Sequence, residues 1–361
     1  MAAIAVRLES LARGARDRLR VMGSLASGAG LWVLIAALFI WSATSTTQLF
    51  VVGVVVGSIL TLGALGLTLI YGVLKFGNFA HGDAMMTGAY VAFFALTGRV
   101  LAERRDTELL PWSLGDLPGA RDAIGHLSFG YGLLLATLVA AVVIAALSLG
   151  LDRFVYRPLR RRDSGIVIFA VASIGIAIGL RSLMLIFWGP DPRVYVAGIR
   201  PTSDLPFGVR VVNDQIFIFF AALLMSALVY LLLFRTKLGK AMRAMADNPE
   251  LAKVSGINTE QIVAWTWVTG GGLMAVGGVL LALQAQLNPQ LGFVLLLPLF
   301  AATILGGIGN PLGALLGAMV VGVAQESSIE FFAPGYKPGV AFVILILILL
   351  LRPRGLLGER A

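Results

Sequence analysis

Apolar residues form long blocks along this chain, separated by short polar or glycine-rich breaks. Ten blocks carry few or no charged residues, and several reach the ~18 to 25 residues that a helix needs to cross a bilayer. Because backbone groups must pair internally in lipid, such blocks form helices. The pattern predicts an all-α, polytopic integral membrane protein with about ten transmembrane helices. The predicted spans are residues 27–43, 49–74, 84–98, 131–151, 166–188, 216–234, 262–284, 293–305, 312–328 and 340–351.

The distribution of basic residues tests this number of spans, because cytoplasmic loops carry an excess of Lys and Arg. With both termini inside, nineteen of the 28 Lys and Arg residues fall in cytoplasmic segments and eight in the opposite loops. Arg181 stays within the fifth span. One missed or extra span would invert half of this bias, so we predict cytoplasmic N and C termini.

The same pattern divides the chain into three parts. Residues 1–26 are predicted to be a basic cytoplasmic extension, residues 27–351 the transmembrane domain, and residues 352–361 a cytoplasmic tail. The first apolar block follows five arginines and could be a cleaved signal peptide. We predict an uncleaved span instead, because no clear small-x-small cleavage site precedes the polar stretch that follows it.

Composition narrows the possible chemistry. Of the 361 residues, 58% are apolar and 13% charged, with a mean hydropathy of +0.90, whereas soluble domains are about 45–50% apolar and 25% charged. The absence of cysteine excludes disulfides and thiolate metal sites, and two histidines leave little for a metal cluster or a catalytic triad. We expect no metal site, no catalytic residues and no bound cofactor. The net charge of +9 is explained by the cytoplasmic loops, and we expect no nucleic acid partner.

Two predicted outside loops are rich in charge, proline and glycine. Residues 99–127 and 191–214 are too short for separate domains and are predicted to be structured surfaces. Either loop could face a soluble partner, although ordinary solvated loops are the more common explanation.

Residues 237–258 form the longest polar break in the C-terminal half. Asn248 is suited to an N-cap, Pro249 to the first helical position and Gly256 to a left-handed stop, which predicts two short helices in one loop. Asn258 then begins the next span with capping-box spacing. A loop that only joins spans needs no such order, so this segment suggests a docking site, with simple topology-determining charge as the alternative.

A second polar segment lies between the second and third spans. Asn78, His81 and Asp83 stand among glycines there. Broken helix ends at membrane depth are tolerated where protein or a water-filled path surrounds them, which favours a translocation path. The alternative is a tight turn at the membrane surface, with Asp83 stabilising the start of a helix.

Residues 301–317 are the third segment of interest, and they are rich in glycine. Gly313 and Gly317 have the GxxxG spacing that lets helix backbones approach closely. The segment lacks the GxxxxGK[ST] pattern of a phosphate-binding loop. Close helix packing is therefore predicted here, and no ATP site.

These segments carry three motifs in a fixed order. They are NFAHGDxMxxGAY at 78–90, RAMADN at 243–248 with GIN at 256–258, and LGGIGNPLGA at 305–314. Together they resemble the signatures of the permease subunits of branched-chain amino acid ABC importers, over about residues 49–357. Two departures are a basic N-terminal extension longer than the family needs and the long loop at 99–127.

The resemblance implies a multi-pass permease of the bacterial inner membrane that transports branched-chain or related small amino acids. Its implied partners are a homologous second permease, two ATP-binding subunits that use ATP and Mg²⁺, a periplasmic substrate-binding protein and membrane lipid. The implied residues for coupling to the ATPase are Arg243, Ala244, Asp247, Asn248, Pro249 and Gly256. The implied residues of the translocation path are Asn78, Phe79, His81, Asp83, Gly306, Gly307 and Asn310.

The predicted topology also suggests an inverted repeat, in which spans two to five run opposite to spans seven to ten. The turn at Asn78 would then correspond to the turn at residues 286–290 on the other side.

Other functions stay open on the sequence alone. Urea or short amides would travel a similar path, so an importer of those substrates is the first alternative. A stand-alone secondary transporter is the second, although ion-coupled carriers place ionisable residues at mid-membrane. Arg181 and Glu326 are the candidates here, and both are predicted near the outer ends of spans, where they could snorkel or pair. A membrane enzyme lacks a plausible catalytic cluster.

Overall fold

The computed structural model describes residues 28–102, 105–198, 200–205 and 208–358. The predicted extension at 1–26 and the last three residues of the tail lie outside these ranges. Thirteen α-helices follow one another through the described part of the chain. In order, α1 to α13 are Gly28–Ser45, Thr47–Leu74, His81–Thr97, Tyr131–Leu151, Arg157–Arg161, Ile166–Trp188, Asn213–Arg235, Lys237–Asp247, Pro249–Val254, Thr259–Gln284, Leu291–Gly306, Pro311–Ser327 and Lys337–Leu351.

Ten of these helices coincide with the ten predicted spans, which confirms an all-α, polytopic membrane protein. Seven helical stretches in the described ranges are long and apolar enough to cross a membrane. Helices α12 and α13 reach this length together with the adjoining 3-10 turns, whereas α1, α3 and α11 are not among the seven. Ten is therefore the number of apolar helices at the predicted positions, and seven of them meet the length of a full span.

Helices α2 and α10 form the centre of the bundle. Most of their residues are buried, including Ile59 and Leu62 on α2 and Trp267 on α10. Peripheral α6 and α13 bury only one narrow face and expose apolar side chains elsewhere. Because lipid is as apolar as leucine, an exposed apolar face is ordinary for a membrane helix.

The predicted GxxxG packing is present between α11 and α12. A Cβ added to Gly313 would lie 2.2 Å from the carbonyl oxygen of Gly306, and one added to Gly317 would lie 2.1 Å from that of Ala302. The two backbones therefore touch, as small residues allow.

Hydrogen bonds tie together the loops that were predicted to share a side. On the predicted outer side, the Gln48 side chain donates to the Arg210 carbonyl at 2.7 Å, and the Ser128 backbone N–H donates to Asp214 at 2.9 Å. On the predicted cytoplasmic side, the Leu356 N–H donates to the Leu305 carbonyl at 2.7 Å. The alternation of loops between two sides is thus consistent with the charge pattern.

The outer loops contain two short β-hairpins that the sequence did not predict. Strands β1 (Arg99–Ala102) and β2 (Arg105–Glu108) pair antiparallel, as do β3 (Thr202–Leu205) and β4 (Val209–Val212). In the first loop the Ser113 hydroxyl and N–H also donate to Asp116, which lowers the pKa of that carboxyl. The predicted structured surfaces are therefore ordered by hairpins and side-chain caps.

One helical irregularity follows α4. The turn Asp152–Tyr156 is a π-helix, a rare form that is common at functional positions. It buries Asp152, which accepts two hydrogen bonds from Arg160 and one from the Trp267 indole at 2.8 Å. It also places the Tyr156 ring flat against Trp267, with ring centroids 5.2 Å apart.

Candidate functional site

The segment at 237–258 contains the two short helices that the sequence predicts. Helix α8 begins after Thr236, whose hydroxyl accepts from the Gly239 N–H at 3.0 Å. Asn248 ends α8 and caps α9, accepting from the Leu251 N–H at 2.9 Å. Pro249 is the first residue of α9. We call residues 237–258 the coupling segment.

The remaining predicted residues of the coupling segment also take the expected positions. Gly256 has φ +84°, a left-handed conformation that favours glycine, and Asn258 caps α10 by accepting from the Gln261 N–H at 3.1 Å. The Ala244 carbonyl accepts from the Asn248 N–H at 3.0 Å and closes α8. Their local structure is confirmed, whereas their predicted role in docking stays a prediction.

Helix α8 lies against the bundle, and α9 projects from it. Met242 and Met245 are buried, and the Arg243 guanidinium lies 4.8 Å above the centre of the Phe234 ring on α7. On α9, Leu251 and Val254 are 63% and 86% exposed. The coupling segment therefore presents an ordered apolar surface to the aqueous side.

The turn between α2 and α3 is buried inside the protein. Asn78 is 3% exposed, and its side-chain oxygen accepts from the Ala80 N–H at 3.1 Å and from the Tyr156 hydroxyl at 3.4 Å. The Phe79 ring stacks on Phe300 of α11, with ring centroids 5.0 Å apart. A turn at the membrane surface would not be enclosed in this way, so the structure favours a broken helix end within the bundle.

The position of His81, the first residue of α3, shows where along α2 the new helix begins. A Cβ on Gly66 would lie 2.9 Å from the imidazole Cε1 atom. Gly66 precedes the end of α2 at Leu74 by about 12 Å, at 1.5 Å of rise per residue. Helix α3 thus begins beside the interior of α2 and not beside its end. Neither imidazole nitrogen has a hydrogen-bond partner of normal geometry among the described residues, and the side chain is fully buried.

Asp83, in the first turn of α3, forms an ion pair with Arg181 of α6. The guanidinium donates two parallel hydrogen bonds, from Nε to Oδ1 at 3.0 Å and from the terminal nitrogen to Oδ2 at 2.9 Å. Asp83 is 1% exposed and the Arg181 side chain 20%. The guanidinium also lies 4.7 Å above the centre of the Phe293 ring on α11. The sequence analysis singled out Asp83 in the turn and Arg181 inside a span, but it did not predict that they form an ion pair.

The N termini of α3 and α11 meet at this level. A Cβ on Gly82 would lie 2.2 Å from the Gly292 carbonyl oxygen. The turns before both helices are alike: Asn288 accepts from the Gln290 N–H at 3.0 Å, as Asn78 does from the Ala80 N–H. This matches the predicted correspondence between the two turns of an inverted repeat.

The other predicted path residues lie at the opposite end of α11. Gly306 packs on Gly313, Gly307 has φ +107°, and Asn310 caps α12 by accepting from the Gly313 N–H at 3.1 Å. Asn310 also donates to the Leu357 carbonyl at 2.8 Å. These three residues therefore shape a turn against the C-terminal segment, about 20 Å along α11 from Gly292 at 1.5 Å per residue.

A cavity of about 550 Å³ connects this turn to the coupling segment. Arg243 and Asp247 line one wall, Asn310 lines another, and the end of α2 closes the third. At its edge the Lys75 ammonium donates to the Ala246 carbonyl of α8 at 2.6 Å. The structure thus brings together one set of predicted coupling residues and one predicted path residue.

The comparisons with known proteins support the same interpretation. Residues 49–349 match the family model described as branched-chain amino acid transport system / permease component. The chain is 34% identical to the high-affinity branched-chain amino acid transport system permease protein BraD of Pseudomonas aeruginosa, over 86% of this chain and 95% of that protein. It is 31% identical to LivH of Escherichia coli, over 85% and 94%, and 27% identical to the probable LivH of Methanocaldococcus jannaschii, over 84% and 90%. No solved structure matches the chain significantly.

Proposed function

Because the chain belongs to the family of permease components of branched-chain amino acid transport systems, we propose that it imports branched-chain or related small amino acids as part of an ATP-driven transporter. It is a multi-pass protein of the bacterial inner membrane and a transport subunit, not an enzyme. The family of ABC importers works with ATPase and substrate-binding subunits. For this chain we propose a second homologous permease, two ATP-binding subunits and a periplasmic binding protein.

The coupling segment is the observation that carries this proposal. Its two helices are held by side-chain caps and by buried methionines, so the segment keeps one shape, while Leu251 and Val254 point their apolar side chains at water. An ordered, exposed apolar surface is typical of a protein interface. A soluble ATPase is the partner that an energy-coupled permease requires on this side, and ATP and Mg²⁺ act in that subunit.

Substituting serine for both Leu251 and Val254 tests the docking. Burial of a Leu or Val side chain contributes about 1.5–3 kcal/mol, so the double variant should bind the ATPase at least about tenfold more weakly and lose uptake in proportion. Its thermal stability should be unchanged, because both side chains are exposed. Asn248 is a poorer probe, because its side chain also caps α9.

Leu109 provides the matched control. It is 61% exposed, a degree similar to Leu251, but it lies in the loop on the opposite side. Leu109→Ser should bind the ATPase as the parent does. Equal ATPase affinity in the parent and in the Leu251 and Val254 double variant would refute docking through α9.

The proposed substrate rests on the similarity to branched-chain amino acid permeases, and it is tested separately. Vesicles that contain the permeases, the ATPase and the binding protein should accumulate leucine, isoleucine or valine when ATP is supplied, with urea a poor competitor. Accumulation of urea or a short amide without uptake of any amino acid would replace this substrate with the alternative.

A further inference from the structure

The ion pair between Asp83 and Arg181 occupies the level at which the two short helices meet. Asp83 lies about 21 Å before the end of α3 at Thr97, at 1.5 Å of rise per residue. Its neighbour Gly82 touches Gly292 of α11. Phe293 follows Gly292, so the guanidinium is held between a carboxylate of α3 and an aromatic ring of α11.

The pair is not sealed inside the protein. The Arg181 side chain is 20% exposed, and Phe293 is 58% exposed on the same side. Ionisable groups inside a bilayer are costly and face the bundle interior or a water-filled cavity rather than lipid. The pair is thus open along one edge, beside the Phe293 ring, at the level where the two short helices meet.

An ion pair can also serve only as a brace between helices, and exposure does not separate the two uses in this chain, because Glu326 and Lys337 are 7% and 30% exposed against 1% and 20% for Asp83 and Arg181. The pair between Glu326 and Lys337 shows that this chain also places a brace nearer to the end of a helix. There the ammonium of Lys337, the first residue of α13, lies 2.8 Å from both carboxylate oxygens of Glu326. The Asp83–Arg181 pair differs from it in depth and in its aromatic neighbour.

We propose that Asp83 and Arg181 form a subsite for the zwitterionic head of the transported amino acid, an inference that rests on the proposed function. A free amino acid carries one carboxylate and one ammonium group on the same carbon. The Arg181 guanidinium matches the carboxylate through two parallel hydrogen bonds, and the Asp83 carboxylate matches the ammonium. The exposed Phe293 ring offers an apolar contact to an aliphatic side chain.

In the described structure Asp83 and Arg181 pair with each other, so neither charge needs a bound ion when no substrate is present. A passing zwitterion replaces each partner with a group of the same charge, and the net charge at this level stays unchanged throughout. This arrangement suits a zwitterion better than urea, which carries no charge for either residue to match.

Exchanging the two charges tests whether the pair is a substrate subsite or only a brace between helices. The double substitution Asp83→Arg with Arg181→Asp keeps an ion pair between α3 and α6 but reverses its polarity against the zwitterion. In vesicles with all partner subunits, leucine uptake should fall at least about tenfold, the effect of one lost charge-assisted hydrogen bond. ATP hydrolysis stimulated by the loaded binding protein should persist.

The matched control exchanges the other pair, Glu326→Lys with Lys337→Glu, which should leave leucine uptake within about twofold of the parent. Arg181→Lys covers the case in which the first exchange prevents folding. Lysine keeps the charge but presents a point charge instead of a planar fork, so the amount of leucine taken up per ATP should fall.

The outcomes are distinct. Parental uptake per ATP in the Asp83 and Arg181 exchange, or in Arg181→Lys where the exchange does not fold, would overturn the subsite and leave the proposed function intact. Absence of any ATP-driven amino acid uptake by the parent would overturn both. Reduced uptake per ATP in these variants, with the Glu326 and Lys337 exchange unaffected, is the result expected.

Discussion

The contact between Gly82 and Gly292 gives the sharpest test of the fold where α3 and α11 meet. An added Cβ on Gly82 would lie 2.2 Å from the Gly292 carbonyl oxygen, and one on Gly292 would lie 2.6 Å from the Gly82 carbonyl oxygen. Non-bonded carbon contacts are optimal at about 3.5–4.0 Å. Gly82→Ala must therefore push the first turns of α3 and α11 apart by roughly 1–2 Å.

The expected loss of stability follows from this clash. Inserting one extra carbon into a packed interior costs about 1–3 kcal/mol, and the upper value applies when the obstacle is a backbone carbonyl that cannot rotate away. We expect Gly82→Ala to destabilise the protein by about 3 kcal/mol. Uptake should also fall, because Asp83 follows Gly82 and moves with it.

Gly272 on α10 provides the control, because a Cβ there would meet nothing within 4 Å. Gly272→Ala should leave stability unchanged or raise it by up to about 1 kcal/mol through helix propensity. Combining Gly82→Ala with Gly292→Ala should cost less than the sum of the single effects, because the first substitution already separates the turns.

Thermal unfolding of the purified variants in detergent and leucine uptake by reconstituted vesicles are the measurements. Gly82→Ala should lower the unfolding midpoint and the uptake, and Gly272→Ala should lower neither. A Gly82→Ala protein that matches the parent in both would show that α3 and α11 do not meet at this crossing.

Two further predictions concern the path and the energy source. A cysteine at Phe79, introduced into a chain that has none, should react with a small thiol reagent at a rate that changes with nucleotide state, whereas one at exposed Arg162 should not; equal rates in every state at Phe79 would make the turn a static connection. The permease alone in vesicles should show no concentrative amino acid uptake under a proton or sodium gradient, and such uptake would instead support a secondary transporter.

Local patterns in the sequence were sufficient to predict the helices and the local structure of the coupling segment. Asn248, Pro249, Gly256 and Asn258 take the predicted positions because caps and left-handed stops depend on a few neighbouring residues. The ten apolar helices were found for the same reason, since each block must satisfy its own backbone hydrogen bonds.

The ion pair between Asp83 and Arg181 could not be predicted in this way. Asp83 and Arg181 are separated by 98 residues, and their pairing depends on which helices are neighbours. The two β-hairpins were missed because each strand is only four residues long and three of the four lack a regular alternation of apolar and polar residues. The sequence did signal Arg181 as an ionisable residue inside a span, and its partner required the packing of α3 against α6.

Lys75 links the coupling segment to the buried turn at Asn78 through a single residue. Its backbone, at φ +59°, ends α2, and its ammonium holds the end of α8 through the Ala246 carbonyl. The next residue, Phe76, packs its ring on Tyr156, whose hydroxyl reaches Asn78. If the ATPase displaces α8, the displacement reaches the buried turn through this short connection and need not pass along a full span. If the coupling segment docks an ATPase as proposed, ATP hydrolysis in that subunit can act on the buried turn, because the coupling segment and the turn are attached to the same end of α2.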